Sequence, residues 1–325
     1  MSPRTPDKQE EYGAPFDDAD ADVVLRSSDD VNFRVYKVIL TKASPFFKEL
    51  LALRQPEALP SPGADKDSDC GETYDGLPLI PFSETKTTLS LILTLCYPIP
   101  PPSPPTLEGI VLLLAAAQKY ELARVHVWAV GLFAASPEAR DSPAKAFGMA
   151  CSHRLEQEAR LAARMALHGP LNLDALEEQL PFMDGLTLQR LMRYHRQCAN
   201  VAVDLTTPEL FTWIGRRDDQ VWEWASATSC NCTRRKYLVA NNETWNCKVW
   251  WAEYMKRAGA VLRVIPAGET VRKSELIRPS YNSEEICHKD CRPNVISWLN
   301  TFSEVFAAKV DQRTSQTYLF DRFDW

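Results

Sequence analysis

Asp22-Val23-Val24-Leu25-Arg26, Ser27-Ser28-Asp29-Asp30, Val31-Asn32-Phe33-Arg34-Val35 is the stretch that decides the fold. Two short runs rich in β-branched and aromatic residues flank a four-residue polar cluster, which predicts a β-hairpin. Working forward, Tyr36 to Ala43 takes on helical spacing, and Ser44-Pro45 marks a second helix start. A hydroxyl there can cap the first turn, and proline at the first helical position gives up an N–H that would have no partner anyway. Phe46, Phe47, Leu50 and Leu51 supply the apolar face of this helix. Working backward, Met1 to Asp22 is acidic and polar and contains Pro and Gly, so residues 1–19 are expected to be a disordered acidic tail.

Arg54 to Gly76 is rich in Pro, Asp, Gly and Ser and predicts a surface insertion, followed by a strand over Leu77 to Pro81. Leu89, Ile92, Leu93 and Cys96 recur at three- and four-residue spacing between Glu84 and Tyr97, the pattern of a buried helical face. Pro98 to Pro105 is stiff and extended because so many of its residues have fixed φ and no backbone donor. Thr106 to Tyr120 and Arg124 to Ala134 predict two further helices.

The residues Asp22-Val-Val-Leu25, Phe33-Arg-Val-Tyr-Lys-Val-Ile-Leu40, Ala43-Ser-Pro-Phe-Phe47 and Leu113-Leu-Ala-Ala-Ala-Gln-Lys-Tyr-Glu-Leu122, taken in this order, resemble the BTB/POZ family, in its divergent fungal-type form. The resemblance covers residues 20–135. It implies an α+β interaction domain in which a short three-stranded β-sheet carries helical hairpins. It also implies protein partners, either a cullin-type ubiquitin ligase scaffold or transcriptional co-regulators. Phe47, Leu50 and Leu51 border the surface that cullin-binding relatives use. Tyr36 stands where the family has a histidine paired with the residue matching Asp22, and a tyrosine hydroxyl can also form such a hydrogen bond. Dimeric relatives begin with a helix ahead of the first strand. The segment before Asp22 is a poor helix former, which counts against that style of homodimer.

Residues 136–205 predict a helical extension, punctuated by Ser136-Pro137, Ser142-Pro143 and Gly169-Pro170, with a long helix over Thr187 to Val203. Composition shifts beyond Thr206. Eight of the nine Trp and five of the nine Cys fall in residues 206–325, a Trp/Cys-rich and mostly α C-terminal unit. Helices are expected over Lys248 to Ala258, closed by Gly259, and over Pro293 to Ala308, with strand character between Ala260 and Ile265.

The sharpest chemical signal is Cys230-Asn231-Cys232, Cys247 and Cys287-His288-Lys289-Asp290-Cys291. Thiolates and an imidazole in paired short spacings can surround a tetrahedral zinc ion, its four ligands drawn from Cys230, Cys232, Cys287, His288 and Cys291. The gaps are not those of a standard finger, and the reading of the same residues as ordinary buried or exposed thiols, in a chain where no secretory leader is visible, stands ahead of zinc. A Cys/His nucleophile would require Cys287 or Cys291 to meet His153, His168 or His195 across a cleft. No phosphate loop, HExxH helix or GxSxG elbow is present, so the chain reads as a non-enzymatic adapter or scaffold with no resident cofactor other than structural zinc.

The net charge of −6 and the pI near 5.5 weigh against a broad grip on nucleic acid. Basic residues interleave with Trp213, Trp222, Trp224, Trp245, Trp250 and Trp251 at Arg216, Arg217, Arg234 and Arg235, which leaves a chromatin- or RNA-associated factor as the alternative. The expected location is the cytoplasm or nucleus, with no membrane segment.

Overall fold

The computed structural model describes residues 10–53, 72–100, 102–171, 173–207, 213–214, 230–238 and 244–317. The chain divides into two compact units, one of Met1–Pro137 with His153–Leu155 and the other of Glu138–Ser152 with Glu156–Trp325. The second unit therefore takes in both the helical extension and the Trp/Cys-rich region. The protein is mixed α+β. None of its described helices is long and apolar enough to cross a membrane.

The first unit is built on the hairpin of β2 (Val23–Arg26) and β3 (Val31–Val35), paired antiparallel with Leu25 opposite Phe33. On its other side β2 pairs in parallel with β5 (Leu77–Pro81). Being central, β2 is covered on both faces, and Val23, Val24 and Leu25 are all fully buried. Two short strands extend the sheet to five: β1 (Glu10–Glu11) runs parallel to β3, and β4 (Thr73–Tyr74) pairs with β5, giving the order β1-β3-β2-β5-β4.

The sheet thus has five strands where the resemblance implied three. The turn Asp75-Gly76 makes the β4–β5 hairpin, both residues having positive φ as a two-residue hairpin loop of the primed type requires. The rest of the predicted insertion, residues 54–71, lies outside the described residues.

Helices α1 (Lys37–Ala43) and α2 (Pro45–Leu53) follow the hairpin. Ser44 acts at the junction as expected: its Oγ accepts from Phe47 N at 3.3 Å and donates to Tyr120 O at 2.6 Å, tying the start of α2 to a helix 76 residues away. Helix α3 (Lys86–Cys96) is started by Asp29, whose carboxylate accepts from Lys86 N at 2.7 Å. Helices α4 (Leu107–Lys119) and α5 (Ala123–Ala135) form the second helical pair, with Thr106 Oγ1 capping α4 through Gly109 N.

The segment read as a disordered tail is structured from Glu10 onward. Phe16 is buried at 1% exposure, Tyr12 stacks on Phe33 at 4.5 Å, and Arg34 N donates to Phe16 O at 2.9 Å. Burial of a phenylalanine contributes about 2 kcal/mol, enough to hold a short polar segment on the sheet.

The expected Tyr36–Asp22 pair is not formed. The Tyr36 hydroxyl donates to Asp20 at 2.6 Å, with Asp18 3.1 Å away, and these acceptors hold the phenol proton well above its usual range. Asp22 instead accepts from Lys37 N at 2.7 Å and starts α1.

In the second unit, α6 (Pro137–Asp141), α7 (Pro143–Ser152), α8 (Glu156–Met165) and α9 (Leu173–Leu176) lead to the long α10 (Gly185–Asp204), capped by Asp184. A two-stranded sheet of β6 (Arg234–Leu238) and β7 (Thr244–Lys248) runs directly into α11 (Val249–Leu262). Helices α12 (Ser274–Tyr281) and α13 (Val295–Ser315) follow among the described residues.

Two expectations change here. Residues 260–262 continue α11, and no strand forms before Ile265. Gly259 lies inside that helix because Thr206, just past α10, approaches closely: a Cβ at Gly259 would stand 2.5 Å from Thr206 Oγ1. The glycine serves close packing, not helix termination.

Trp250, Trp251, Tyr254, Phe302 and Phe306 form the core of this unit, with Trp213 stacked on Phe306 at 5.4 Å. The described tryptophans 213, 250 and 251 therefore belong to packing. Trp222, Trp224, Arg216 and Arg217, and the side chain of Trp245, lie outside the described residues.

Candidate metal centre

Cys230 and Cys232 sit in the loop entering β6, which is held on two sides. Thr233 N donates to Glu285 O at 3.2 Å, and Val249 N donates to Thr233 O at 3.0 Å. Arg234 reaches back to Cys230 O at 3.2 Å. Cys287 and Cys291 lie four residues apart in the turn that leads into α13. There Ile286 is buried, and the carbonyls of Cys287 and Cys291 accept from the amides of Arg292 and Val295. Backbone pairing thus carries two loops, 55 residues apart, to one point.

The four sulfurs of Cys230, Cys232, Cys287 and Cys291 all lie within 4.8 Å of one another. All are free thiols, and the Cys230–Cys291 pair at 3.5 Å is well beyond the S–S bond length of about 2 Å. Thiolates around a tetrahedral zinc, bound at about 2.3 Å, stand roughly 3.8 Å apart. The cluster is therefore compatible with a structural zinc ion, all four corners being thiols.

The surroundings match thiolate chemistry. Cys287 N donates to Cys232 Sγ at 3.2 Å, and Cys291 N donates to Cys287 Sγ at 3.3 Å. Such N–H donors orient sulfur ligands and lower their charge density. Lys248 is 2% exposed, and its ammonium donates to Cys291 Sγ at 3.1 Å and lies 5.7 Å from the centre of the Trp298 ring.

A buried ammonium needs a compensating anion. Burial disfavours the charged form of Lys248, but the bond to Cys291 and the charges of Cys291 and Cys230 outweigh it and raise its pKa. The sulfurs differ in turn. Burial works against ionisation of Cys230, yet the Cys232 amide and the Cys291 thiol bring it down to about 6. Burial pushes Cys291 strongly up, and its sulfur neighbours add to the shift. Packed this closely, the four sulfurs cannot all ionise without a cation among them.

Two residues of the sequence pattern fall outside the group. His288 follows Cys287 directly, yet its side chain is exposed and takes no place among the four sulfurs. Cys247 is on β7 opposite Arg235, buried in the core and pushed up to about 12 by that burial. The residue that sequence reasoning missed is Lys248. The signal for it was faint: a lysine between Cys247 and the wholly apolar Val249-Trp250-Trp251-Ala252.

No imidazole joins the cysteine group. His168 is exposed and paired with Glu269 at 2.9 Å, and His195 is buried with Nε2 3.3 Å from Gly169 O. In the first unit, Phe47 and Leu51 of the expected partner surface are buried, Phe47 stacking on Tyr120 at 5.7 Å. Leu50 alone of the three is half-buried. A side chain locked into the core cannot itself meet a partner, so Phe47 and Leu51 can only shape the surface from beneath. No protein-family model matches this chain, and no curated protein matches it.

Proposed function

We propose that the chain is a non-enzymatic adapter in which a BTB-like N-terminal unit docks a protein partner and a second unit is held in shape by a structural zinc on Cys230, Cys232, Cys287 and Cys291. The observation that carries the zinc reading is the convergence of four cysteine sulfurs within 4.8 Å of one another, with the buried ammonium of Lys248 donating to one of them. Four thiolates around Zn²⁺ have a net charge of −2, which a lysine at 3.1 Å partly offsets. Four protein ligands leave no open coordination position, the mark of structural rather than catalytic zinc. When bound, the ion would cross-link the loop before β6 to the turn before α13.

The adapter reading is supported by element order: the hairpin β2–β3, the helical pair α1–α2, β5 parallel to β2, α3 and the helical pair α4–α5. The partner classes are a cullin-type ubiquitin ligase scaffold and transcriptional co-regulators, in the cytoplasm or nucleus. Among the described residues ahead of β2, residues 10–22, β1 forms and no helix does, which favours a different protein over a second copy as partner. The nucleic-acid alternative receives less support. Of the basic run 234–236, Arg234 bonds Cys230 O and Arg235 pairs with Glu253 at 3.5 Å.

Elemental analysis of protein purified without chelator tests the zinc. A stoichiometric ion is expected, lost in the Cys230→Ser, Cys287→Ser double variant, and protein without zinc overturns the site. Calorimetric titration of the full chain with the N-terminal region of a cullin-type scaffold, and separately with a co-regulator fragment, tests the partner. Saturable binding to one of them, weakened by Leu50→Ala, is expected. Binding to neither removes both partner classes.

A further inference from the structure

A groove of about 740 Å³ runs along α10 in the second unit. Its apolar lining includes Leu173, Leu188, Met192 and Val264. Leu188 and Met192 are one helical turn apart and so share a face of α10. Leu173, Met192 and Val264 are exposed, an unusual concentration of large apolar side chains in water. The groove also carries Arg193, Arg196 and Arg263, all exposed. None of these three side chains has an ion pair or a hydrogen bond within the described residues. Among the described residues, no Asp or Glu lines the groove.

We propose that this groove is a docking surface for an acidic peptide segment of a partner protein, one that carries apolar side chains at helical spacing. Charge complementarity selects the sign: three guanidiniums without carboxylate partners gain an anion at little cost, and arginine binds carboxylates in bidentate fashion. The aliphatic floor selects the class. A single-stranded nucleic acid would also meet the arginines, but its bases need aromatic faces to stack on, and among the described residues no Phe, Tyr or Trp lines the groove. Leu and Met suit instead the apolar face of an amphipathic helix laid in a groove, methionine adapting to varied side chains.

The length agrees. Lining residues run from Gly185 to Asn200 along α10, roughly 22 Å at 1.5 Å per residue, room for about four turns of a partner helix. The groove shares no residue with the cysteine centre or with the first unit, so it stands or falls apart from the proposed function.

Fluorescence anisotropy with the full chain tests it. The probe is a labelled peptide of about 14 residues built of Leu, Ala, Glu and Asp, with leucines at three- and four-residue spacing. Its counterpart carries Lys in place of the acids, and labelled oligothymidylate is the third probe. Saturable binding of the acidic peptide on the order of 10 μM is expected, weakening with salt. It should fall at least about tenfold in Arg193→Glu, Arg196→Glu and stay within about threefold in Arg193→Lys, Arg196→Lys, a contrast expected of charge-assisted contacts at exposed positions. Unchanged circular dichroism of both variants keeps the comparison free of unfolding. Equal binding of the acidic and basic peptides, undiminished binding by the Glu variant, or binding of oligothymidylate alone would each overturn the proposal.

Discussion

Strand β2 and the Cys230–Cys232 loop both lie in the interior, by different means. β2 closes its core mainly with hydrocarbon and backbone pairing: Val23, Val24 and Leu25 are buried between β3 and β5, and Phe16, Phe33 and Tyr97 fill in around them. The cysteine loop brings two sulfurs into the interior, where they meet those of Cys287 and Cys291 and the buried ammonium of Lys248 beside Trp298. Hydrocarbon burial adds up side chain by side chain and tolerates the loss of one. A polar centre in low dielectric is stable only when every charge in it is answered, so it succeeds or fails as a whole. The first unit should therefore weaken gradually under mutation, and the region around the centre should fail at once when the proposed zinc is removed.

The largest effect to be expected is that of metal removal. Structural zinc contributes on the order of 10 kcal/mol to small domains that depend on it. Chelation should expose the amides of β7, of the first turns of α11 and of Cys287–Asn294 to hydrogen exchange, while Val23–Arg26 and Ile110–Ala117 remain protected. Loss of protection in both units alike would erase the contrast. Next comes Phe47→Ala, which opens a cavity between Tyr120 and Phe82 and should cost about 3–5 kcal/mol of stability on chemical denaturation, with zinc content unchanged.

Lys248→Met should be milder. It keeps the buried stem and removes the charge, so zinc affinity should fall roughly 10- to 100-fold in a competition titration, as for other groups that support metal ligands. Equal or tighter affinity in the variant would show that the ammonium is not matched to a dianionic centre.

The smallest effect concerns His195. Burial lowers its pKa below the ordinary value and outweighs the bond to the Gly169 carbonyl. The unfolded chain then takes up the proton more readily than the native one. Stability conferred by the neutral, buried ring is fully present above a pH of about 6.5 and declines as the pH falls below it. His195→Gln should flatten that part of the stability–pH curve, and an unchanged curve would remove His195 as its source.

Much of the first unit was legible because its signals are local. The hairpin of Asp22 to Val35, the Ser44-Pro45 helix start, the strand Leu77–Pro81 and the helices of 86–135 are each dictated by the residues inside them. The β4 strand was missed, because it falls in a stretch read as insertion, although Asp75-Gly76 at its end is a two-residue turn signal that points to it. By contrast, β1 depends on a partner twenty-one residues on, and nothing in Glu10-Glu11 itself favours a strand. Gly259 looked like a helix end because glycine serves two purposes, chain reversal and close approach, and the sequence does not distinguish them.

Composition and spacing by themselves determined that residues 230–291 bring thiols in pairs, and that the hairpin near Asp22 nucleates an α+β unit. Only the tertiary structure decided that Cys230, Cys232, Cys287 and Cys291 converge, that His288 points to solvent and Cys247 into the core, and that Lys248 supplies the opposing charge. The reason is physical: a ligand set is a matter of direction as well as spacing. Side-chain direction at a turn follows from hydrogen bonds such as Thr233 N to Glu285 O, made across 52 residues of chain.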